Sequence, residues 1–119
     1  MNHYLVKLVY RMTRKERLMH EFDEQFRLIM ASNIHEAFVK ARFVGVKNEC
    51  SLETESGETV SWQFVDVAFI RLLENFSDGM ELFTHTHEAA DPHDYIRFVQ
   101  RKAENIYSGI QPIAAASEA

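Results

Sequence analysis

The side chains best able to gather a metal ion lie at His85-Thr86-His87, with His93 six residues further on. On an extended segment residues i and i+2 point to one side, so both imidazoles could face one ion. Zinc would also need a third and often a fourth ligand, which His93, Glu81 or Glu88 could supply. The spacing fixes none of these three, and paired strand histidines facing solvent need no metal. The expectation is therefore no metal site. Should one form, His85, His87 and His93 are the candidates, at the centre of a small metal-dependent enzyme.

Other chemistry fails on residue type or spacing. His35-Glu36 opens like a metalloprotease helix, but Val39 stands where the second histidine would be needed. The chain has four glycines and no Gly-x-Ser-x-Gly, phosphate loop or Gly-x-Gly-x-x-Gly. Asp23 and Glu24 are neighbours on a strand, so their carboxylates point to opposite faces and cannot share acid–base work. Cys50 is the single cysteine, which excludes an intramolecular disulfide and a multi-cysteine zinc site. With no flanking base it should behave as a small buried hydrophobe. Trp62 and Phe64 could form a recognition platform, but Val60 shares their alternation, which favours core packing. No catalytic residue and no cofactor is expected.

These side chains need elements to position them, and the pattern supplies an α+β set. Tyr4, Val6, Leu8, Tyr10 and Met12 share one face of a first strand, with Leu5, Lys7, Val9 and Arg11 on the other. Thr13 to His20 is polar and charged and reads as a loop. In a second strand Phe22, Glu24, Phe26, Leu28 and Met30 alternate with Asp23, Gln25, Arg27, Ile29 and Ala31. The two should pair as a long hairpin.

A helix over 32–46 follows, capped by Ser32 or Asn33, with Ile34, Ala37, Phe38 and Ala41 as its buried stripe and a stop near Gly45. Cys50–Thr54 and Val60–Ile70 read as strands, with a phase slip near Phe64–Asp66 that predicts a β-bulge. Their connection should be the three-residue loop Glu55-Ser56-Gly57, with Gly57 in the left-handed region. That register sets Leu52 opposite Val60 and Cys50 opposite Trp62, on a buried face. A two-residue loop would put Glu55 opposite Glu58 and Leu52 opposite Ser61. Met80–His87 reads as a short fifth strand. A last helix over 91–108 starts at Asp91-Pro92 and should bury Tyr95, Ile96, Val99, Ala103 and Ile106. The fold class is α+β, in the order ββαβββα, with a mainly antiparallel sheet of about five strands and both helices packed on it.

A chain of 119 residues suits one domain, expected over 1–109, with 110–119 as a flexible tail because Pro112 and an Ala-rich end break the pattern. Lys7, Arg11 and Arg71 interrupt the most apolar stretches before they approach the ~20 residues of a membrane span. Met1-Asn2-His3-Tyr4 enters a strand without the zones of a signal peptide, so a cytoplasmic location is expected.

The net charge of −5 argues against general nucleic-acid binding. The charge is polarised, however. Lys7, Arg11, Arg14, Lys15 and Arg17 face only Glu16 in the first nineteen residues, whereas Lys47 to Asp94 holds eleven acids. The basic Arg11–Arg17 loop is either a solvated connection or a weak nucleic-acid contact, and polarised charge can also select a charged partner.

The segments "YLVKLVYR", "FDEQFRLIMASNIHEAFVKA", "ETESGETVSWQFVDV" and "DGMELFTH" together resemble an uncharacterised bacterial domain-of-unknown-function family. The resemblance spans residues 4 to 87 and rests on "FDEQFRL", "EAFVKA" and "GETVSWQFVDV", which are marks of a fold. It implies the architecture and no activity. "HTHEAADPHD" departs from it.

Two classes of function follow from the residues. The first is a non-catalytic regulatory module that binds a protein partner or itself, most simply as a homodimer. A good core, no catalytic set and many strands with edges to pair favour it. The second is the metal-dependent enzyme at His85 and His87, with the Arg11–Arg17 nucleic-acid binder beside it.

Overall fold

The computed structural model describes the backbone of residues 1–14 and 17–118, and the side chains of 1–14 and 21–110. The chain divides into two compact units, Met1–Leu82 and Phe83–Ala119. The first runs β1 (Asn2–Arg14), β2 (Arg17–Ala31), α1 (Ile34–Lys47), β3 (Cys50–Glu53) and β4 (Thr59–Leu73). These strands form one antiparallel sheet in the order β2-β1-β4-β3. The second unit contains α2 (Pro92–Glu118).

The α+β class, the antiparallel sheet and two helices are as the sequence implies, but the sheet has four strands among the described residues. Met80–His87 forms no strand. Left-handed Asn75 (φ 51°) and Gly79 (φ 83°) turn the chain just before it. Either phase of Glu81-Leu82-Phe83-Thr84-His85-Thr86-His87 mixes apolar with polar residues, so no face drives pairing.

The expected Thr13–His20 loop is mostly strand. Thr13 and Arg14 continue the ladder to Ser61 and Val60 of β4, and Arg14 also pairs with Arg17. Because β1 is central, pairing on both sides holds residues whose side chains alone suggest a loop. Lys15 and Glu16, the tip of that basic segment, lie outside the described residues, as does the Arg17 side chain.

Close packing under α1 explains its sequence. Asn33 caps it, its Oδ1 accepting from the Glu36 N–H at 2.9 Å. Ala37, Ala41 and Gly45 are buried and face the sheet, against Tyr4, Val6, Leu8 and Tyr10 of β1 and Ile29 and Ala31 of β2. Ile34, placed in that stripe by spacing, is exposed, and Phe38 is only half-buried. Small side chains carry the contact because the helix lies against aromatic rings.

Gly45 therefore does not end the helix, which continues to Lys47 with Asn48 as its C-cap. A β-carbon there would come within 2.3 Å of Phe64 Cε1. The carbonyls of the last turn are satisfied in three ways. Asn48 donates to Val44 through its backbone and side chain, Glu49 N–H donates to Val46, and the Tyr10 hydroxyl donates to Gly45 at 2.8 Å. Burial pushes the pKa of that hydroxyl above its ordinary 10.0.

The β3–β4 hairpin adopts the longer-loop register, with Cys50 opposite Trp62 and Leu52 opposite Val60. Thr54 N–H donates to Glu58 O at 2.7 Å, and Gly57 has φ 82°. Along β4 the pairing with β1 slips twice, passing over Val65 and Ala68, and the first slip lies at the predicted bulge. Arg42 of α1 grips Asp66 beside that bulge, its Nε and Nη2 each donating at 3.0 Å to one carboxylate oxygen. This bidentate contact, then the Val67 N–H at 2.7 Å, holds the Asp66 carboxyl below its usual range.

In the second unit Asp91 caps α2, accepting from His93 N–H at 2.9 Å and Asp94 N–H at 3.4 Å. The helix does not end at 108 but runs on through the Pro112 segment to Glu118. Tyr95, Ile96, Val99 and Ile106, expected as a buried stripe, are exposed. Among the described residues the unit contains no second helix or strand to cover them.

Candidate interaction surface

Strand β2 is the 15-residue edge of the sheet, and its two faces are unlike. The face under α1 carries Asp23, Gln25, Arg27, Ile29 and Ala31, of which only Ile29 and Ala31 are buried. The opposite face carries Phe22, Phe26, Leu28 and Met30, which are 56%, 43%, 54% and 44% exposed. An antiparallel sheet ordinarily turns its apolar face to the core and its polar face to water. Over residues 22–28 β2 does the reverse. The two-residue link Ser32-Asn33 returns α1 over the Ile29 and Ala31 face, which fixes the choice.

The polar face of β2 is organised. Arg27 donates from Nη2 and Nε to Gln25 Oε1 at 2.8 and 3.2 Å, and Gln25 Nε2 donates to Asp23 Oδ2 at 2.8 Å. On the other face Lys7 of β1 pairs with Glu24 and lies over the Phe26 ring at 5.7 Å. Lys40 of α1 donates to the Met30 carbonyl at 2.9 Å. The Phe64 N–H turns away from β1 to Glu49, so Tyr10 opposite it turns its backbone groups to Asp23 of β2. The Met30 carbonyl, of the other phase, therefore points off the open edge of the sheet. Backbone groups of alternate residues share a side, so those of Glu24, Phe26 and Leu28 point off it too.

The residues marked by sequence fall elsewhere. The His85 and His87 rings stack at 5.6 Å with an interplanar angle of 18°, and His87 meets Tyr95 edge-on at 5.0 Å. His93 sits in the first turn of α2, its N–H held by Asp91. All three histidines are exposed. Among the described residues no group of three or more His, Cys, Asp or Glu could hold a metal.

Cys50 is exposed rather than buried, and Leu52 beside it is 59% exposed. They belong to a four-residue edge strand beyond the end of α1 at Lys47, so the register is right, but burial on that face reaches Val60 and half of Trp62 on β4 and stops short of β3. Trp62 and Phe64 are half-buried against the core, and Asp23 and Glu24 do face opposite ways. Of the basic set, Lys7 is paired with Glu24 and Arg14 lies 3.5 Å from Glu21, while the Arg11 Nε is buried with no hydrogen-bond partner.

Reasoning from the sequence missed the surface on β2. Its alternation was legible, but an alternating strand does not say which face the helix will cover.

Among the described residues no helix is long and apolar enough to cross a membrane. Comparison with curated proteins and with solved structures returns no match. Residues 3–84, which hold α1 and all of the four-stranded sheet except Asn2, match a domain of unknown function, and the chain belongs to that family, DUF4288.

Proposed function

We propose that this chain is a non-catalytic regulatory module of a bacterial cytoplasm that works by self-association, as a homodimer joined through the open edge of β2. One observation carries this reading: a long edge strand presents Phe22, Phe26, Leu28 and Met30 to water on a face whose one charge, Glu24, is paired with Lys7, while Asp23, Gln25 and Arg27 face the helix side. Unpaired edges are usually blunted by charge, bulges or cover. From Glu21 to Ala31 the ladder with β1 runs without a register shift, so the edge is regular. Lys40 reaches it at Met30, beyond the stretch Phe22–Leu28.

Burying the exposed half of a Phe or Leu side chain is worth about 1 kcal/mol, and a symmetric pair would bury each residue twice. Main-chain bonds between the edges would add direction to that gain. The test is sedimentation equilibrium of the native chain beside Leu28→Lys, which places a charge on the apolar face without touching the core. Dimeric native protein and a largely monomeric Leu28→Lys variant are expected. A native chain that stays at 13.9 kDa at every concentration contradicts the reading.

A further inference from the structure

An edge that pairs with its own copy must choose a register, and the side chains of β2 leave few choices. Two identical antiparallel strands related by a twofold axis through residue k set residue i opposite residue 2k−i. The axis must pass through a residue, because otherwise opposed side chains would lie on different faces of the joined sheet. Axes at Asp23, Glu24 or Arg27 oppose a charge to itself, and an axis at Phe22 sets Glu21 against Asp23.

An axis at Phe26 faces Asp23 with buried Ile29, and Phe22 with Met30, whose carbonyl Lys40 already occupies at 2.9 Å. An axis at Leu28 sets Phe26 against the same Met30. Gln25 remains. About Gln25, Asp23 meets Arg27 of the partner and Arg27 meets Asp23 of the partner. On the other face Phe22 meets Leu28 of the partner and Glu24 meets Phe26 of the partner, with the Glu24 charge already paired to Lys7. Pairing then spans Phe22 to Leu28 and stops short of Met30, which leaves the Lys40 contact intact.

We infer that two copies join β2 to β2 about a twofold axis at Gln25, held by reciprocal Asp23–Arg27 ion pairs into one continuous eight-stranded sheet. This rests on the self-association proposed above and names its partner surface. The ladder from Arg27 through Gln25 to Asp23 is already ordered in each copy, with links of 2.8 Å, so both charges are presented along the edge before they meet. Reversed, Asp23-Gln25-Arg27 reads Arg-Gln-Asp, so two copies pair opposite charges when antiparallel and like charges when parallel.

Single cysteines at 24, 25, 26 and 27 in a Cys50→Ser chain test the register by mild oxidation and mass. Self-facing residues would lie about 4.5–5.5 Å apart between Cα atoms, within the roughly 4.4–6.8 Å of a disulfide, while their neighbours sit about 7–8 Å or more from their own copies. Gln25→Cys should therefore cross-link fastest. In the same chain Asp23→Arg or Arg27→Asp alone should weaken the dimer about tenfold or more, and the two together should restore it. A dimer of normal mass that cross-links through Phe26→Cys, or through none of the four, overturns this register while leaving self-association standing. A chain that is monomeric before any substitution removes both.

Discussion

Replacing Gly45 by alanine tests how α1 is seated. The new β-carbon would lie 2.3, 2.5 and 2.6 Å from Phe64 Cε1, Cζ and Cδ1. Carbon atoms rest about 3.5–4.0 Å apart, so the ring edge must retreat by roughly 1 Å or more. Phe64 has little room to do so. It is half-buried, packs against Tyr10 with ring centroids 5.6 Å apart, and has its N–H held by Glu49 at 2.8 Å.

Overpacking of this kind costs about 1–3 kcal/mol. Alanine returns about 1 kcal/mol of helix propensity over glycine. Lifting the helix would also weaken the Tyr10–Gly45 hydrogen bond of 2.8 Å, worth about 1 kcal/mol. The net expectation is a loss of about 1–3 kcal/mol, read as a lower urea midpoint at unchanged slope. Adding Phe64→Leu removes the clashing ring atoms and should make the two changes couple by about 1 kcal/mol in a double-mutant cycle. If Gly45→Ala alone raised the midpoint, as it would on an open helix face, the close approach of α1 to β4 would be wrong.

Two further outcomes follow from the same packing. Tyr10 keeps its proton to higher pH when folded than when unfolded, so its contribution is complete below pH 10.0 and is lost as pH rises through the raised native value. Urea midpoints of the native chain should fall more steeply above that pH than those of Tyr10→Phe, and parallel curves would contradict the burial of the hydroxyl. Gly57→Val should cost about 1–2 kcal/mol, because φ 82° resists a β-branched residue although space around it is open; a melting temperature unchanged from the native chain would count against the left-handed turn.

Local rules read some of this structure correctly and could not reach the rest. The β3–β4 register follows from pairing Leu52 with Val60 and avoiding Glu55 opposite Glu58, and the hairpin adopts it. The bulge in β4 and the caps Asn33 and Asp91 were equally legible, since a phase slip and a short polar side chain act within a few residues. Gly45 looked like a stop signal because a glycine late in a helix usually is one; only the ring of Phe64, nineteen residues away, gives it another role. Cys50 was placed on the right face, but burial depends on what covers that face, and α1 ends too early to do so. The surface on β2 was hidden for a related reason. Period-two alternation separates Phe22, Phe26 and Leu28 from Asp23, Gln25 and Arg27, and only the path of the chain into α1 decides which set meets water.

The backbone amides of Glu24, Phe26 and Leu28 report most directly on the central claim. In a single chain they point off the open edge and should exchange with deuterium quickly. In the proposed dimer each would donate to the partner strand. Amide exchange followed across a dilution series should show these three protected at high concentration and losing protection as the mass falls to that of one chain, while core amides of β1 such as Val6 and Leu8 stay protected throughout. Fast exchange at Glu24, Phe26 and Leu28 in a sample that is fully dimeric by mass would show that the β2 edge is not where two copies meet.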